Sequence, residues 1–273
     1  MRVRGIRAGA GDDHVAFTIQ SVSKPFVYAL ALVDRGLDDV LANVGAEPSG
    51  EAFNAISLEP GTGRPANPMI NAGAIATTAL VAGADTDERF ARILDLMSRC
   101  AGRSLEVDER VHASESATGD RNRALAYLMA ASGSLSGPVE ATVDTYFRQC
   151  SVLVTVHDLA VMAATLATGG SNPVTGETVL PPDVARHVLS VMATSGMYDY
   201  SGRWMLSVGL PAKSGVSGGL IAVSPGKFGV GVFSPRLDER GNTVRGVAAV
   251  TSLSSRLGLH LLHDPMRESP SLL

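Results

Sequence analysis

The sequence predicts an α+β fold in which an antiparallel sheet is flanked by helices and a largely helical region is inserted beside it. Three observations lead to this prediction. Residues 14–20 alternate in polarity like a strand, the middle of the chain repeats helical spacings, and the last third has short β-prone segments between turns. We expect a single domain over residues 1–273. Its sheet would come from about 1–22 and 200–273 and its helices from about 23–199, so that the early and late strands share one sheet.

The first predicted helix covers residues 22–34, directly after the early strand. Pro25 falls in its first turns, where a missing N–H costs little, and Gly36 follows its end. The segment 41–68 is rich in Gly, Pro and Asn and is predicted to be a long loop. Further helices are predicted at 69–82, 86–100, 121–132, 138–149, 155–168, 182–195 and 250–262, and further strands at 203–211, 218–224, 227–233 and 242–249.

Acidic and hydroxyl residues stand where several predicted helices begin. Asp85 and Asp87 flank the start of one helix, and Asp120 precedes another. Thr155 and Asp158 have the spacing of a capping pair. Acidic residues suit the positive end of a helix dipole, so these positions strengthen the predicted boundaries.

The composition argues against several classes of protein. Hydrophobic residues make up 45% and charged residues 18% of the 273 positions, as in a well-packed globular protein. A net charge of −4 argues against a general nucleic-acid-binding surface. The longest apolar stretch, residues 69–84, is interrupted by Asn71, Thr77 and Thr78, so it is too short and too polar to span a membrane.

The beginning of the chain lacks the apolar segment of a signal peptide. Two cysteines, Cys100 and Cys150, are too few for a disulfide framework and are predicted to be small buried residues. A reducing cytoplasm is therefore the expected location of the protein.

Residues Ser21-Val22-Ser23-Lys24 form an S-x-x-K pattern at the start of the first predicted helix. A lysine three residues after a serine lies on the same helical face, one turn later. A buried lysine can be neutral near physiological pH and accept a proton from a hydroxyl, which an arginine does not do. The pattern predicts a serine nucleophile, although a helix-capping serine and a solvated lysine would explain the same four residues.

The context separates this pattern from a second match at residues 224–227 (Ser-Pro-Gly-Lys), which falls in a predicted turn. Ser21 follows a strand and opens an apolar helix. Lys213-Ser-Gly supplies a second basic element like the one that S-x-x-K enzymes place opposite the serine. Only three of the 23 basic residues are lysines, and Lys24 and Lys213 are two of them. No Ser-Asp-Asn is present and no tyrosine begins a Tyr-x-Asn, so a β-lactamase fits poorly.

Segments that follow one another at consistent spacing along almost the whole chain resemble a known family. They are FTIQSVSK at 17–24, EPSG at 47–50 with FN at 53–54, NPMINAGAI at 67–75, SESATGDRNRALAYLM at 114–129, YFRQCSV at 146–152, DLAVMAATLATGG at 158–170, SGMYDYSGRW at 195–204, LPAKSGVSGG at 210–219 and GVFSPRLDERGN at 231–242. Together they resemble the serine-dependent glutaminases. The resemblance implies a β-lactamase/transpeptidase-like fold and the deamidation of L-glutamine to L-glutamate and ammonia.

The resemblance also implies roles for individual residues. Ser21 would attack the side-chain amide and form an acyl-enzyme, with Lys24 and Tyr198 as acid–base groups. The backbone N–H groups of Ser21 and Val216 would bind the oxyanion. The matched substrate-binding positions are Ser21, Asn71, Glu115, Asn122, Tyr146, Tyr198 and Val216.

Charge alone predicts the binding role of one of these positions. Glu115 is the only acid among them, so we expect it to bind the α-ammonium of the substrate. Asn71 and Asn122 are neutral, and without the resemblance they would be interpreted as structural polar residues. Glu115 and Asn122 are separated by Gly119 and Asp120, so we expect a loop followed by a helix rather than one continuous helix.

No cofactor and no metal are expected. His260, His263 and Asp264 have a metal-like spacing, but they lie near the end of the chain without further ligands. The expected small-molecule partner is L-glutamine, without nucleic acid or membrane, and the resemblance implies a homodimer or homotetramer. Relatives have a further segment before the first strand, so the chain is expected to be truncated at its N-terminus. The alternatives are therefore a catalytically impaired fragment, or an S-x-x-K esterase or β-lactam-recognising hydrolase.

Overall fold

The computed structural model of the protein describes residues 8–52 and 55–263. The helices are α1 (Lys24–Arg35), α2 (Leu37–Asn43), α3 (Asn71–Leu80), α4 (Thr86–Ala101), α5 (Glu109–Thr118), α6 (Asp120–Ala131), α7 (Val139–Cys150), α8 (Val156–Ala167), α9 (Pro182–Ser195), α10 (Ser201–Ser207) and α11 (Val244–Leu257). The strands are β1 (Phe17–Thr18), β2 (Glu106–Val107), β3 (Val152–Val154), β4 (Ala212–Ser214), β5 (Gly219–Ser224) and β6 (Phe228–Phe233). Single 3-10 turns cover Gln20–Ser23 and Tyr198–Tyr200. Residues 53–54 of the resembling segments lie outside the described residues, and the single domain over 1–273 stays a prediction.

The late strands form an antiparallel sheet in the order β4-β5-β6. Every residue of β5 is buried, and successive side chains point to opposite faces of a strand. Ile221 and Val223 join the apolar cluster of α1, α4, α8 and α9. Leu220 and Ala222 join a second cluster, formed with α10 and α11. The sheet therefore lies between two helical layers, which is the predicted α+β arrangement.

Two glycines of β6 let α8 lie directly on this sheet. A Cβ added at Gly229 would lie 2.2 Å from the backbone nitrogen of Ala164, and one added at Gly231 would lie 2.5 Å from the oxygen of Val156. Only a residue without a side chain allows such close approach of a helix backbone. The pattern of small residues in β6 is thus a packing requirement.

The early strand is shorter than predicted and pairs with a different partner. Only Phe17–Thr18 of the predicted 14–20 strand is extended, and among the described residues it belongs to a separate sheet of order β1-β3-β2. Phe17 pairs with Val154 of β3. The prediction of one shared sheet was wrong because β1 meets the late sheet through side chains. The ring of Phe17 stacks on that of Phe233 with centroids 3.9 Å apart.

The segments that carry the site are packed in the interior. α1 begins at Lys24, with Pro25 in its first turn, and ends at Arg35, directly before Gly36, whose φ of 79° suits glycine. Its first nine residues are buried, so it is a core helix packed against α3 and α9. A Cβ at Gly73 of α3 would lie 1.8 Å from the oxygen of Asn67, so the preceding loop crosses α3 closely.

The predicted helix starts are mostly confirmed. The side chain of Asp85 accepts a hydrogen bond from the Glu88 N–H at 2.9 Å and caps α4. Thr155 and Asp158 form the predicted capping box of α8, and a cap of this kind stabilises by about 1 kcal/mol. Asp120 is the first residue of α6 rather than the residue before it.

Two segments predicted as strands are helices. Residues 203–211 contain most of α10, where Trp204 is buried and Val208, four residues later, is buried directly after the helix. Residues 242–249 contain the start of α11, which is capped by the side chain of Thr243 and ends before Gly258. Their β-branched residues favour strands in isolation, but burial at helical spacing decides the structure. None of the helices in the described part of the chain combines the length and the hydropathy that a membrane span requires.

Candidate active site

Ser21 lies in the short 3-10 turn that joins β1 to α1. The turn is tight, with the Val22 N–H donating to the Ile19 carbonyl at 3.2 Å. Gln20, directly before the serine, has a φ of 50°, a conformation that costs a non-glycine residue about 1–3 kcal/mol. Ser21 is only 6% exposed. The strand-to-helix setting predicted for this serine is therefore present, with strain stored next to it.

Lys24 lies at the beginning of α1 and its side chain is completely buried. Its Nζ donates hydrogen bonds to Oδ1 of Asn71 at 2.7 Å and to the carbonyl of Met69 at 3.1 Å. Burial lowers the pKa of Lys24 to about 7, from an ordinary value of 10.5. A substantial fraction of this amine is neutral near physiological pH and can accept a proton.

Tyr198 lies over the two buried lysines. The Nζ of Lys213 is 3.8 Å from the centre of the Tyr198 ring, and the Nζ of Lys24 is 5.6 Å from it. Burial raises the pKa of Tyr198 far above its usual range, and a hydrogen bond with the Ser21 side chain acts in the opposite direction. The phenol is therefore neutral, adjacent to the serine, and able to donate a proton.

Lys213 of β4 faces the same interior as Lys24. Its Nζ donates to the carbonyl of Ser214 at 2.6 Å. Burial lowers the pKa of Lys213 well below its usual range, and the nearby charge of Lys24 lowers it further. Two amines close together in a buried site disfavour each other's protonation. The sequence indicated this lysine through Lys213-Ser-Gly, but it was not among the predicted site residues.

Three predicted substrate-binding residues form one hydrogen-bonded chain. The Asn71 side chain donates through Nδ2 to Oδ1 of Asn122 at 3.0 Å, and its own Oδ1 accepts from the Tyr146 hydroxyl at 3.3 Å. The same oxygen accepts from Lys24, so Asn71 connects this chain to the lysine. The pKa of Tyr146 is raised well above its usual range by burial, which keeps its hydroxyl a donor.

Glu115 is half-buried on α5 and reaches the turn of the serine through Gln20. The Gln20 Nε2 donates to Oε1 of Glu115 at 3.3 Å. Gly119 separates α5 from α6, so the expected break is present, but Glu115 lies on a helix and not in the expected loop. No residue of α5 is buried, so no apolar pattern revealed this helix in the sequence.

Val216 lies in the turn between β4 and β5, with a side chain 41% exposed. Its neighbour Gly215 approaches the serine turn closely. A Cβ added at Gly215 would lie 3.2 Å from the carbonyl of Ile19 and 3.5 Å from the amide nitrogen of Ser21. The side chain of Val216 points to solvent, so any contribution of this residue to the site comes from its backbone.

A family model described as glutaminase matches residues 1–262 of the chain. The chain belongs to the glutaminase family. The glutaminase of Nostoc sp. (strain PCC 7120) is 55% identical over 251 residues, which cover 92% of this chain and 75% of the relative. The glutaminase of Microcystis aeruginosa is 53% identical over 253 residues, covering 93% and 75% respectively. The predicted family is confirmed, and these relatives support the predicted glutaminase activity.

Solved glutaminase structures support the same assignment. The crystal structure of Mglu in its native form matches with a TM-score of 0.89 and 55% identity, covering 94% of this chain and 63% of that chain. The probable glutaminase ybaS matches with a TM-score of 0.91 and 43% identity, covering 93% and 83%. The predicted glutaminase-like α+β fold is confirmed.

Among the described residues, the other candidate motifs form hydrogen bonds with backbone groups, and no cluster of metal-binding side chains is present. In the second S-x-x-K match, the Lys227 N–H donates to the Ser224 carbonyl at 3.0 Å in the β5–β6 turn, and the lysine side chain is exposed. The ring nitrogens of His260 engage the Met205 carbonyl and the Leu262 N–H. Asp264 lies outside the described residues.

The polar residues packed beneath Ser21 were not predicted from the sequence. The Gln149 side chain, on α7, lies 3.5 Å from the Ser23 hydroxyl, to which it donates, and accepts from Thr78 at 3.0 Å. Cys150 is buried beside Lys24, and burial raises its pKa to about 12. The prediction of a buried cysteine is confirmed, but its position under the site was not foreseen.

Proposed function

We propose that this chain hydrolyses the side-chain amide of L-glutamine to L-glutamate and ammonia through an acyl-enzyme on Ser21. The observation that carries the proposal is the buried group of Lys24 and Tyr198 next to this serine, in a chain of the glutaminase family. A relative that is 55% identical to this chain, Mglu, has been solved in its glutamate form. L-glutamine is accordingly the substrate that we assign to the site.

In the first step, Ser21 Oγ attacks the amide carbon while neutral Lys24 accepts the hydroxyl proton. The pKa of Lys24 of about 7 supports this role, because the amine takes the proton without being permanently charged. The tetrahedral intermediate then collapses. The C–N bond breaks, the nitrogen takes a proton through Tyr198 or Lys24, and ammonia leaves a γ-glutamyl ester on Ser21.

In the second step, water attacks the ester carbon and gives its proton to the same amine. The C–O bond to Ser21 breaks, and the serine oxygen recovers a proton as glutamate leaves. The net reaction consumes one water and regenerates the enzyme. The backbone N–H groups of Ser21 and Val216 would bind the oxyanion in both steps, and losing one such donor typically costs roughly 10²–10³ in rate. The close approach of Gly215 to the Ser21 amide supports this pairing.

The α-ammonium and α-carboxylate of the substrate require groups of opposite character. Glu115 provides a carboxylate for the ammonium. The α-carboxylate would be bound by neutral donors from the chain of Asn71, Asn122 and Tyr146, with Tyr198 beside them. Buried charges need partners, and this division leaves neither end of the substrate unpaired.

Ammonia release from L-glutamine by the Ser21→Ala variant tests the proposal. We expect the activity to disappear, whereas Ser224→Ala, in the second S-x-x-K match, keeps it. A Ser21→Ala variant with near-parental activity would overturn the mechanism. L-asparagine, a short ester and a chromogenic β-lactam are assayed in parallel. Faster turnover of the ester or β-lactam would favour the alternative hydrolase, and a folded parent without any turnover would favour a catalytically impaired protein.

We further propose that the protein acts in the cytoplasm as a homodimer or homotetramer. The two buried cysteines and the family membership support this proposal. Light scattering coupled to size exclusion measures the mass in solution. A monomer across the working concentration range would contradict the oligomeric part of the proposal.

A further inference from the structure

The backbone of Tyr198 adopts a conformation that tyrosine rarely adopts. Its φ is 55°, and Gln20 is the other non-glycine residue with positive φ in the described part of the chain. In this region the Cβ of an L-residue crowds its own backbone, so the conformation persists only where neighbouring groups impose it. At Tyr198 these groups lie on both sides of the residue.

The Ser201 hydroxyl forms hydrogen bonds with backbone groups on both sides of the Met197–Tyr198 peptide. Its hydroxyl donates to the Tyr198 carbonyl at 2.8 Å and accepts from the Met197 N–H at 3.1 Å. The backbone N–H of Ser201 also donates to the Tyr198 carbonyl. Ser201 is only 5% exposed, so no bulk water is available to replace the hydroxyl. One side chain thus closes the turn around Tyr198.

The other end of the segment is fixed to β4. A Cβ at Gly196 would lie 1.8 Å from the carbonyl oxygen of Ala212, so the two backbones are in direct contact. The next residue of β4, Lys213, contacts the Tyr198 ring. With Gly196 held at β4, the torsion at Tyr198 decides where its phenol lies relative to Ser21.

An ion pair also touches this turn from the outside. Arg240 donates to Asp199 at 3.2 Å, with side chains 51% and 32% exposed. Exposed pairs of this kind typically contribute little to stability. The buried hydroxyl of Ser201 is therefore the stronger constraint on the turn.

We infer that Ser201 is a positioning residue, whose hydroxyl keeps Tyr198 in the left-handed conformation that places its phenol beside Ser21. The inference rests on the proposed function, in which Tyr198 shares the acid–base work. Ser201 itself does not touch the reacting atoms in this arrangement. Its loss should lower the turnover number without removing the substrate-binding groups on α3, α5, α6 and α7.

The test is a double-mutant cycle between Ser201 and Tyr198, measured as ammonia release from L-glutamine. We expect Ser201→Ala to lower kcat at least about tenfold with a much smaller change in KM, and Ser201→Thr, which keeps a hydroxyl, to recover most of it. Ser207→Ala is the matched control. It removes a hydroxyl from the same helix, where it is bonded to the Arg203 carbonyl, and should leave kcat unchanged.

The background variant Tyr198→Phe separates positioning from general damage. If Ser201 acts through the phenol, Ser201→Ala causes little further loss in this background. An equal loss of kcat in both backgrounds would overturn the inference, as would parental kcat in Ser201→Ala. Full activity of Tyr198→Phe alone would instead refute the proposed role of Tyr198. If Ser201→Ala does not fold, Ser201→Cys replaces it, because cysteine has a similar volume but forms weaker hydrogen bonds. Parental kcat in Ser201→Cys would also overturn the inference.

Discussion

The Nζ of Lys24 donates a hydrogen bond to the side-chain oxygen of Asn71 at 2.7 Å in a solvent-excluded interior. Asn71 therefore fixes the position of the amine and connects it to Asn122 and Tyr146. A neutral partner orients the lysine without stabilising its charge as a carboxylate would. Burial therefore lowers the pKa of Lys24, and the proposed proton acceptor lies next to the residues proposed to bind the substrate.

Lys24→Arg should abolish most of the activity. The guanidinium retains a positive charge but does not lose its proton at neutral pH, so it does not act as a base. We expect kcat to fall by at least about 10²-fold, the typical contribution of a general base. Lys227→Arg, at the exposed lysine of the β5–β6 turn, is the control and should match the parent. Substantial activity in Lys24→Arg would show that another group takes the serine proton.

The pH profile of kcat/KM should show an ascending limb near pH 7. Below the pKa of Lys24, which is about 7, the amine is protonated and does not accept the serine proton. Activity is therefore lost as pH falls through this value and reaches a plateau above it. Steady-state ammonia release between pH 5 and 9 measures the profile, with circular dichroism at each pH as the folding control. A flat profile over this range contradicts the assignment.

Glu115→Gln should weaken substrate binding more than turnover. The amide keeps an oxygen for the hydrogen bond from Gln20, but the charge that would face the α-ammonium is lost. Removing one hydrogen bond between charged groups predicts a KM higher by about 10- to 100-fold. Glu109→Gln, at an exposed position on the same helix, is the matched control. An unchanged KM in Glu115→Gln would mean that the ammonium binds elsewhere.

Neither cysteine of the folded protein should react with neutral thiol reagents. Cys100 and Cys150 are both buried, and burial raises the pKa of each thiol to about 12. The thiolate is the reactive form, so almost none is present at pH 8. Titration with a chromogenic disulfide should detect two thiols in denaturant and none in the native state. Rapid labelling of the native protein would show that α4, which carries Cys100, or α7, which carries Cys150, opens readily.

Gly229→Ala should destabilise the protein by about 1–3 kcal/mol or more, because the added methyl group overlaps the backbone of α8. The matched control is Gly202→Ala on α10, where no atom of the described residues outside the local helix lies within 4 Å of the new Cβ. Alanine at that helical position is expected to be neutral or stabilising by up to about 1 kcal/mol. Chemical denaturation of both variants measures the difference. Equal stability of the two would contradict the close packing of β6 on α8.

The sequence alone was enough to predict the parts of the fold that local interactions determine. α8 begins directly after Thr155, as predicted, because the capping box of Thr155 and Asp158 is a local interaction. The end of α1 before Gly36 is likewise determined locally, by the glycine. The segment 242–249 was mispredicted because its β-branched residues are equally compatible with a strand. The cap formed by Thr243 and packing against the late sheet together make it the start of α11. Pairing of β1 with β3 rather than with the late strands likewise depends on long-range packing.

The candidate site was predicted through residue types and a family resemblance rather than through geometry. Ser21, Lys24 and Tyr198 are brought together as expected. The positive φ of Tyr198 and the layer of Ser23 and Gln149 carry no sequence signal that a single chain reveals. They result from how distant segments meet, which composition and spacing do not encode.

The order in which the site residues leave the ribosome follows from their spread along the chain. Ser21 and Lys24 are synthesised first, and Tyr198, Lys213 and Val216 come only after α9. A nascent chain that stops at α9 has the proposed nucleophile without the proposed proton donor or the second proposed oxyanion group. Long chain segments separate these residues and must be ordered before the residues meet. The conformational entropy lost in this step is offset only when the late sheet packs. Under the proposed mechanism, ammonia release therefore requires synthesis of the chain through the β4–β5 turn, and products that terminate before it lack part of the proposed site.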